Sequence, residues 1–143
     1  MGRPLGARSL PEVVEDLVNE CRSSGIATEY AIHGEVRTLD PQTELALYRA
    51  AQEGMTNMRK HAQTSRAEVT VEYPETGSDE TMIRLTIRDY GVGSDSPSGG
   101  FGLIGVHERV RLLGGEVRIE TEPGEGFTLS VEVPSHAGRP SDG

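Results

Sequence analysis

Four short runs in this chain alternate apolar and polar residues, and that period of two constrains the fold more than any other feature. Ala67, Val69, Val71 and Tyr73 alternate with Glu68, Thr70 and Glu72, and Ile83, Leu85 and Ile87 alternate with Arg84, Thr86 and Arg88. Later, Val117, Ile119 and Thr121 lead across Pro123-Gly124-Glu125-Gly126 into Phe127, Leu129, Val131 and Val133. Successive side chains on a strand point to opposite faces, so each run makes a strand with one apolar face and one wet face. Strands of this kind read as an antiparallel-rich sheet whose apolar face needs a cover. Pro74 to Asp79 and the Pro-Gly-Glu-Gly stretch supply turns, and residues 26–33 look like one more short strand.

Helices supply the cover. Ser9-Leu10-Pro11-Glu12 is a helix start with Ser9 as N-cap and Glu12 closing the box, and Leu10, Val13, Val14, Leu17, Val18 and Cys21 follow at three- and four-residue spacing up to Ser24-Gly25. Asp40-Pro41 opens a second, longer helix that runs to about His61. A third covers about 102–113 through Leu103, Val106, Val110 and Leu113, and Gly114-Gly115 stops it. The expected fold class is therefore α+β, a two-layer α/β sandwich in which a mixed, mostly antiparallel sheet packs on about three helices. Residues 1–8 read as a flexible leader, 9–134 as one folded domain and 135–143 as a disordered tail. Residues 90–100, Tyr-Gly-Val-Gly-Ser-Asp-Ser-Pro-Ser-Gly-Gly, have no period and read as a mobile loop.

Composition narrows the partners. Lys and Arg number 14 against 23 Asp and Glu, a formal charge of -9 that argues against a nucleic-acid partner, which needs a basic face. A few cations at one site can still hold a single polyanion, because screening confines remote charge to about 8 Å. The single cysteine, Cys21, excludes an internal disulfide and fits a reducing, cytoplasmic compartment. Its place on the apolar face of the first helix makes it structural rather than nucleophilic. No run approaches the roughly 18 to 20 apolar residues of a membrane span, so no membrane contact is expected of this domain.

On the second helix, Leu47, Tyr48, Ala51, Met55, Met58 and Ala62 share one stripe that faces the core, and Glu53, Asn57, Lys60 and His61 share a stripe centred nearly opposite. A mixed charged face is usually plain solvent, but Asn is a poor helix former that such a face does not select. The Asn57 carbonyl is a hard neutral ligand suited to Mg²⁺, which takes one or two protein ligands and completes its shell with water and phosphate. Glu53 can orient a metal water or accept a proton, and Lys60 and His61 can meet phosphate oxygens. Asp89 ends the run Ile83, Leu85, Ile87 on the apolar face. It is either a buried cap for the glycine turn after it or an acceptor for an exocyclic amino group such as that of adenine. Gly91 and Gly93 leave the floor of such a pocket free for a flat base. Gly99, Gly100, Gly102 and Gly105 lead into a helix whose first amides are free for phosphate oxygens. There is no Gly-Lys-Ser/Thr run of a Walker loop.

Taken together, Gln52-Glu53-x-x-x-Asn57-x-x-Lys60-His61, Asp89-x-Gly91-x-Gly93, Gly100-Phe101-Gly102-Leu103-x-Gly105-Val106 and Gly124-x-Gly126 resemble the Bergerat-fold ATPases. That superfamily holds histidine kinases, gyrase-type topoisomerases and related chaperones. The Lys-His pair and the run Gly102 to Val110, ending at Leu113-Gly114-Gly115, are most similar to the histidine kinases that signal to NarL-type response regulators. The resemblance implies a C-terminal catalytic domain that uses ATP and Mg²⁺, with Glu53 as general base and Asn57 as metal ligand. It implies phosphate contacts from Lys60 and His61, adenine reading by Asp89, and a lid formed by residues 94–102 over the phosphates. Gly91, Gly93, Gly100, Gly102, Leu103, Gly105 and Val106 join the implied ATP-binding set. The family often has Gly-Thr in the last glycine box. Here Phe127 follows Gly126, and Thr128, the implied adenine contact, comes one residue late and by alternation faces the other way, leaving Phe127 to wall the core or the base pocket.

The activity implied is transfer of the γ-phosphoryl group to a histidine on a separate dimerisation and phosphoacceptor module, with a NarL-type response regulator as partner of the whole kinase. His33, His61, His107 and His136 do not sit on an acceptor hairpin, so the domain is expected to be incomplete by itself. Two alternatives share the fold: an anti-sigma-type serine kinase, and a non-catalytic nucleotide-binding regulatory domain.

Overall fold

In a computed structural model, the described residues are 9–61, 65–74, 82–91, 102–121, 124 and 126–135. They form α1 (Leu10–Ser23), β1 (Ala27–His33), α2 (Pro41–His61), β2 (Arg66–Glu72), β3 (Met82–Asp89), α3 (Gly102–Leu112), β4 (Glu116–Thr121) and β5 (Phe127–Pro134). The five strands make one sheet in the order β1-β2-β3-β5-β4. Only β1 and β2 run parallel, with Ala27 opposite Arg66 and His33 opposite Glu72. The α2 crossover between them makes this possible, since parallel neighbours need a connection long enough to return the chain. The other three pairings are antiparallel. The expected mixed, mostly antiparallel sheet under three helices is what the chain adopts.

Local signals explain the elements. The Ser9 amide donates to Glu12 Oε1 at 3.0 Å, closing the first turn of α1. Asp40 Oδ1 accepts from the Gln42 amide at 2.9 Å and so caps α2, with Pro41 just inside. On the sheet, Val69, Val71, Ile83, Leu85, Ile87, Leu129, Val131 and Val133 are at most 2% exposed, while their alternating neighbours form the outer face. There Arg84 pairs with Glu132 and, at 3.3 Å, with Glu72. The core is almost wholly aliphatic, and Cys21 is buried in it.

The sandwich extends one residue past the predicted boundary. Ser135 is 3% exposed, its carbonyl accepts from the Asp40 amide at 3.5 Å, and Thr43 Oγ1 donates to the Pro134 carbonyl at 3.1 Å. The α2 cap thus holds the end of β5, so the tail cannot begin at 135. The leader 1–8, the tail from 136, Ala62 and residues 92–101 lie outside the described residues. Among those described, no helix is long and apolar enough to cross a membrane.

Candidate functional site

Two anchors set the direction of α2 across the sheet. Thr43 bonds Pro134, which stands opposite Met82 at the start of β3. Eleven residues on, a Cβ placed on Gly54 would lie 2.9 Å from Ile87 Cδ1 and 2.9 Å from Leu129 Cδ2. The helix advances about 16 Å between these points, and β3 advances about 16 Å from Met82 to Ile87. Helix and strand therefore run the same way. The turn of α2 after Gly54, with Asn57 and Met58, comes level with Asp89 at the far end of β3. Gly54 is what allows this close approach, since any side chain there would meet two core methyls.

The stripe of Glu53, Asn57 and Lys60 is not opposite the core as the sequence suggests. Thr43, Ala46, Ala50 and Gly54 are buried as well, which widens the buried arc of α2 towards that stripe. The reason is that α2 packs on α1, α3, β3 and β5 at once. Glu53 and Asn57 are half-buried at the edge of the arc, and Lys60 is exposed. The opposite flank is fixed by Arg59, which pairs with Glu20 of α1 at 3.6 Å. Glu53 and Asn57 accordingly face the α3 side. His61 closes α2 with its backbone, and its side chain lies outside the described residues.

Asp89 is where the alternation places it, on the apolar face and 2% exposed. Its Oδ1 accepts from the Gly91 amide at 2.9 Å, so the cap for the glycine turn is real. Burial pushes the Asp89 carboxyl up from its ordinary value, and the Gly91 amide draws it back only in part. Opposite it stand Ala67 on β2 and Phe127 on β5. The row Ala67–Asp89–Phe127 thus carries a small side chain, a carboxylate and a half-buried ring on one face, a floor suited to a flat base with a donor at its rim. Phe127, which the sequence left to wall the core or the base pocket, stands beside Asp89, whereas Ala67 was not singled out. An alanine near the head of an otherwise Val-rich strand was the available signal for Ala67.

Thr128 requires a correction. It pairs with Arg88 and Glu120, so it projects from the outer face, away from Asp89, and cannot touch a base bound there. Leu103 and Val106 are 0% and 5% exposed, part of the core, so they offer a ligand only backbone. Gly102 starts α3, whose first amides have no intrahelical partner. Among the described residues, a Cβ on Gly105, an exposed position of α3, would meet nothing within 4 Å. Gly93 and Gly100 lie outside the described residues.

Among the described residues no group of three or more His, Cys, Asp or Glu side chains converges to hold a metal alone. The donor set at hand, one amide oxygen with a carboxylate one turn away, fits Mg²⁺ shared with phosphates rather than a closed protein cage. A polar groove on the outer face, lined by Arg84, Thr86, Glu116, Arg118, Ser130 and Glu132, lies on the far side of the sheet from Asp89.

Comparisons with known proteins bear on the family and the fold. The model of the histidine kinase-, DNA gyrase B-, and HSP90-like ATPase family matches residues 42–137. The signal transduction histidine-protein kinase/phosphatase DegS of Brevibacillus brevis is 34% identical over 114 residues, covering 78% of this chain and 28% of that protein. The oxygen sensor histidine kinase NreB of Staphylococcus carnosus is 32% identical over 117 residues, covering 79% of this chain and 32% of its own length. The chain thus spans about a third or less of these relatives. In structure, the histidine kinase domain of the Erythrobacter litoralis EL346 blue-light activated kinase superimposes with a TM-score of 0.68 at 20% identity, over 90% of this chain and 62% of that one. With the family model over most of its length and the fold shared, the chain belongs to the histidine kinase-, DNA gyrase B- and HSP90-like ATPase family.

Proposed function

We propose that this chain is the catalytic domain of a sensor histidine kinase, binding Mg-ATP and passing its γ-phosphoryl group to a histidine on a separate acceptor module. The observation that carries this is the buried Asp89 in its row with Ala67 and Phe127, and the run of α2 along β3 puts Asn57 towards the same end of the sheet. Asp89 accepts from the adenine amino group while its other duty, the Gly91 amide, holds the turn. Asn57 would hold Mg²⁺, and Lys60 and His61 meet phosphate oxygens. The amides of the first turn of α3, from Gly102, and the glycines at 91, 93, 100 and 105 give the phosphates and the base room to approach. Magnesium, when bound, offsets the charge that builds on the β- and γ-oxygens. The bond from the γ-phosphorus to the β,γ-bridging oxygen breaks with ADP leaving, and a bond from phosphorus to an imidazole nitrogen forms. The proton leaving that imidazole goes to Glu53. The response regulator of NarL type then takes the phosphoryl group.

Histidine rather than serine as acceptor is supported by the relatives, which are named sensor histidine kinases. The test is incubation with radiolabelled ATP and Mg²⁺, alone and with dimerisation modules of such kinases. The chain alone is expected to bind nucleotide without labelling itself, and the added module to gain an acid-labile label. Stable label on one of its own histidines, or acid-stable label on a partner serine, would overturn the assignment.

A further inference from the structure

We propose that Tyr90 and Gly126 are positioning residues for Asp89, holding its carboxylate aimed at the base from outside the pocket. The inference rests on the reading of Asp89 as the adenine acceptor.

The bond from the Gly91 amide to Asp89 Oδ1 closes a turn whose middle residue is Tyr90, so the direction of the carboxylate depends on the backbone angles of Tyr90. Tyr90 lies on the outer face and is tied there by its side chain. Its hydroxyl donates to Glu68 Oε2 at 2.7 Å, and the guanidinium carbons of Arg66 and Arg88 lie 4.6 and 4.9 Å from its ring centroid. Its amide donates to the Arg66 carbonyl at 3.3 Å. Each contact is weak, being at the surface, and adds little to the stability of the domain. All of them converge on the one residue that sets the turn.

Gly126, the residue just before β5, closely approaches the same peptide from the other side. Its φ is +85°, and a Cβ there would stand 2.3 Å from the Asp89 carbonyl oxygen and 3.3 Å from Tyr90 Cα. Gly124 has nearly the same φ, +82°, with nothing among the described residues within 4 Å of its Cβ position. Both positions need the left-handed conformation that glycine adopts freely, but only 126 needs the absent side chain. The two glycines therefore separate backbone strain from displacement of Asp89.

The experiment uses the whole 143-residue chain. ATP and inosine triphosphate, which carries an oxygen in place of the adenine amino group, are titrated in Mg²⁺ by calorimetry. The ratio of the two dissociation constants is the readout, with thermal melting to establish folding. Tyr90→Ala and Gly126→Ala are expected to reduce the preference for ATP at least fivefold. Tyr90→Phe keeps the ring under both guanidiniums and stays within twofold of the parent ratio. Gly124→Ala melts lower but keeps the ratio. Should Gly126→Ala fail to fold, Tyr90→Ala decides. A Tyr90→Ala ratio within fivefold of the parent, or equal loss in Gly124→Ala and Gly126→Ala, overturns the proposal. Asp89→Asn separates the two readings: if it leaves the ratio unchanged, Asp89 is not the base reader. If it collapses the ratio while Tyr90→Ala does not, only the positioning role falls.

Discussion

Replacing Asp89 with asparagine tests the site at its narrowest point. The carboxylate has two acceptor oxygens, one already given to the Gly91 amide at 2.9 Å, whereas asparagine has one acceptor oxygen and an NH₂ group. If that oxygen stays with Gly91, the NH₂ faces the adenine amino group, donor against donor. If the amide flips, the NH₂ faces the Gly91 amide and the turn opens. Either way one charge-assisted bond is lost, worth about 1.5 to 3 kcal/mol, which weakens ATP roughly 10- to 150-fold. Inosine triphosphate, with an oxygen facing the new NH₂, should lose far less.

Stability moves the other way. Burial raises the Asp89 carboxyl above its ordinary 3.8, so the fold favours the neutral form. That contribution is fully present below 3.8 and is lost as pH rises through the raised folded value. Asparagine has no such loss, so its stability relative to the parent improves across that window, while ATP affinity of the parent rises there as the carboxylate forms. Calorimetric titration and urea unfolding from acid to neutral pH measure both. An ATP affinity within threefold of the parent, or a stability difference that does not change with pH, would refute the reasoning.

Other perturbations follow from the same geometry. Asn57→Ala should abolish the dependence of ATP binding on Mg²⁺ while leaving adenosine binding in place, as titration with and without the metal will read. Gly54→Ala gains about 1 kcal/mol of helix propensity but crowds two core methyls, an overpacking cost of about 1 to 3 kcal/mol, so urea unfolding should find it between neutral and about 2 kcal/mol destabilised, never stabilised by the full propensity gain. Leu129→Ala should cost about 2 to 5 kcal/mol, since Leu129 is 0% exposed under α2. The Cys21 thiol is buried and burial raises it, so a thiol reagent should not label native protein near neutral pH and should label it in denaturant.

Much of this molecule is legible residue by residue because its signals are periodic. Alternation placed β2, β3, β4 and β5, three- and four-residue spacing placed α1 and α3, and the count from Ile83 to Asp89 put a carboxylate on the apolar face. Those are properties of a few adjacent residues and survive in any tertiary context. The faces of α2 were harder, because Ala46, Ala50 and Gly54 do not announce whether they are buried. Only the packing of α2 on four elements settled that Glu53 and Asn57 stand at the edge of the core.

Tertiary structure alone decided the rest, since it turns on residues far apart in the chain. The parallel pairing of β1 with β2, and the place of β5 between β3 and β4, depend on how the chain returns. The Thr43–Pro134 bond holds Ser135 inside the fold, 91 residues along the chain from that threonine to its partner. Asp89 itself was evident from its place in a strand, but what aims it, a tyrosine pinned on the outer face and a glycine held against its peptide just before β5, exists only once three strands lie side by side.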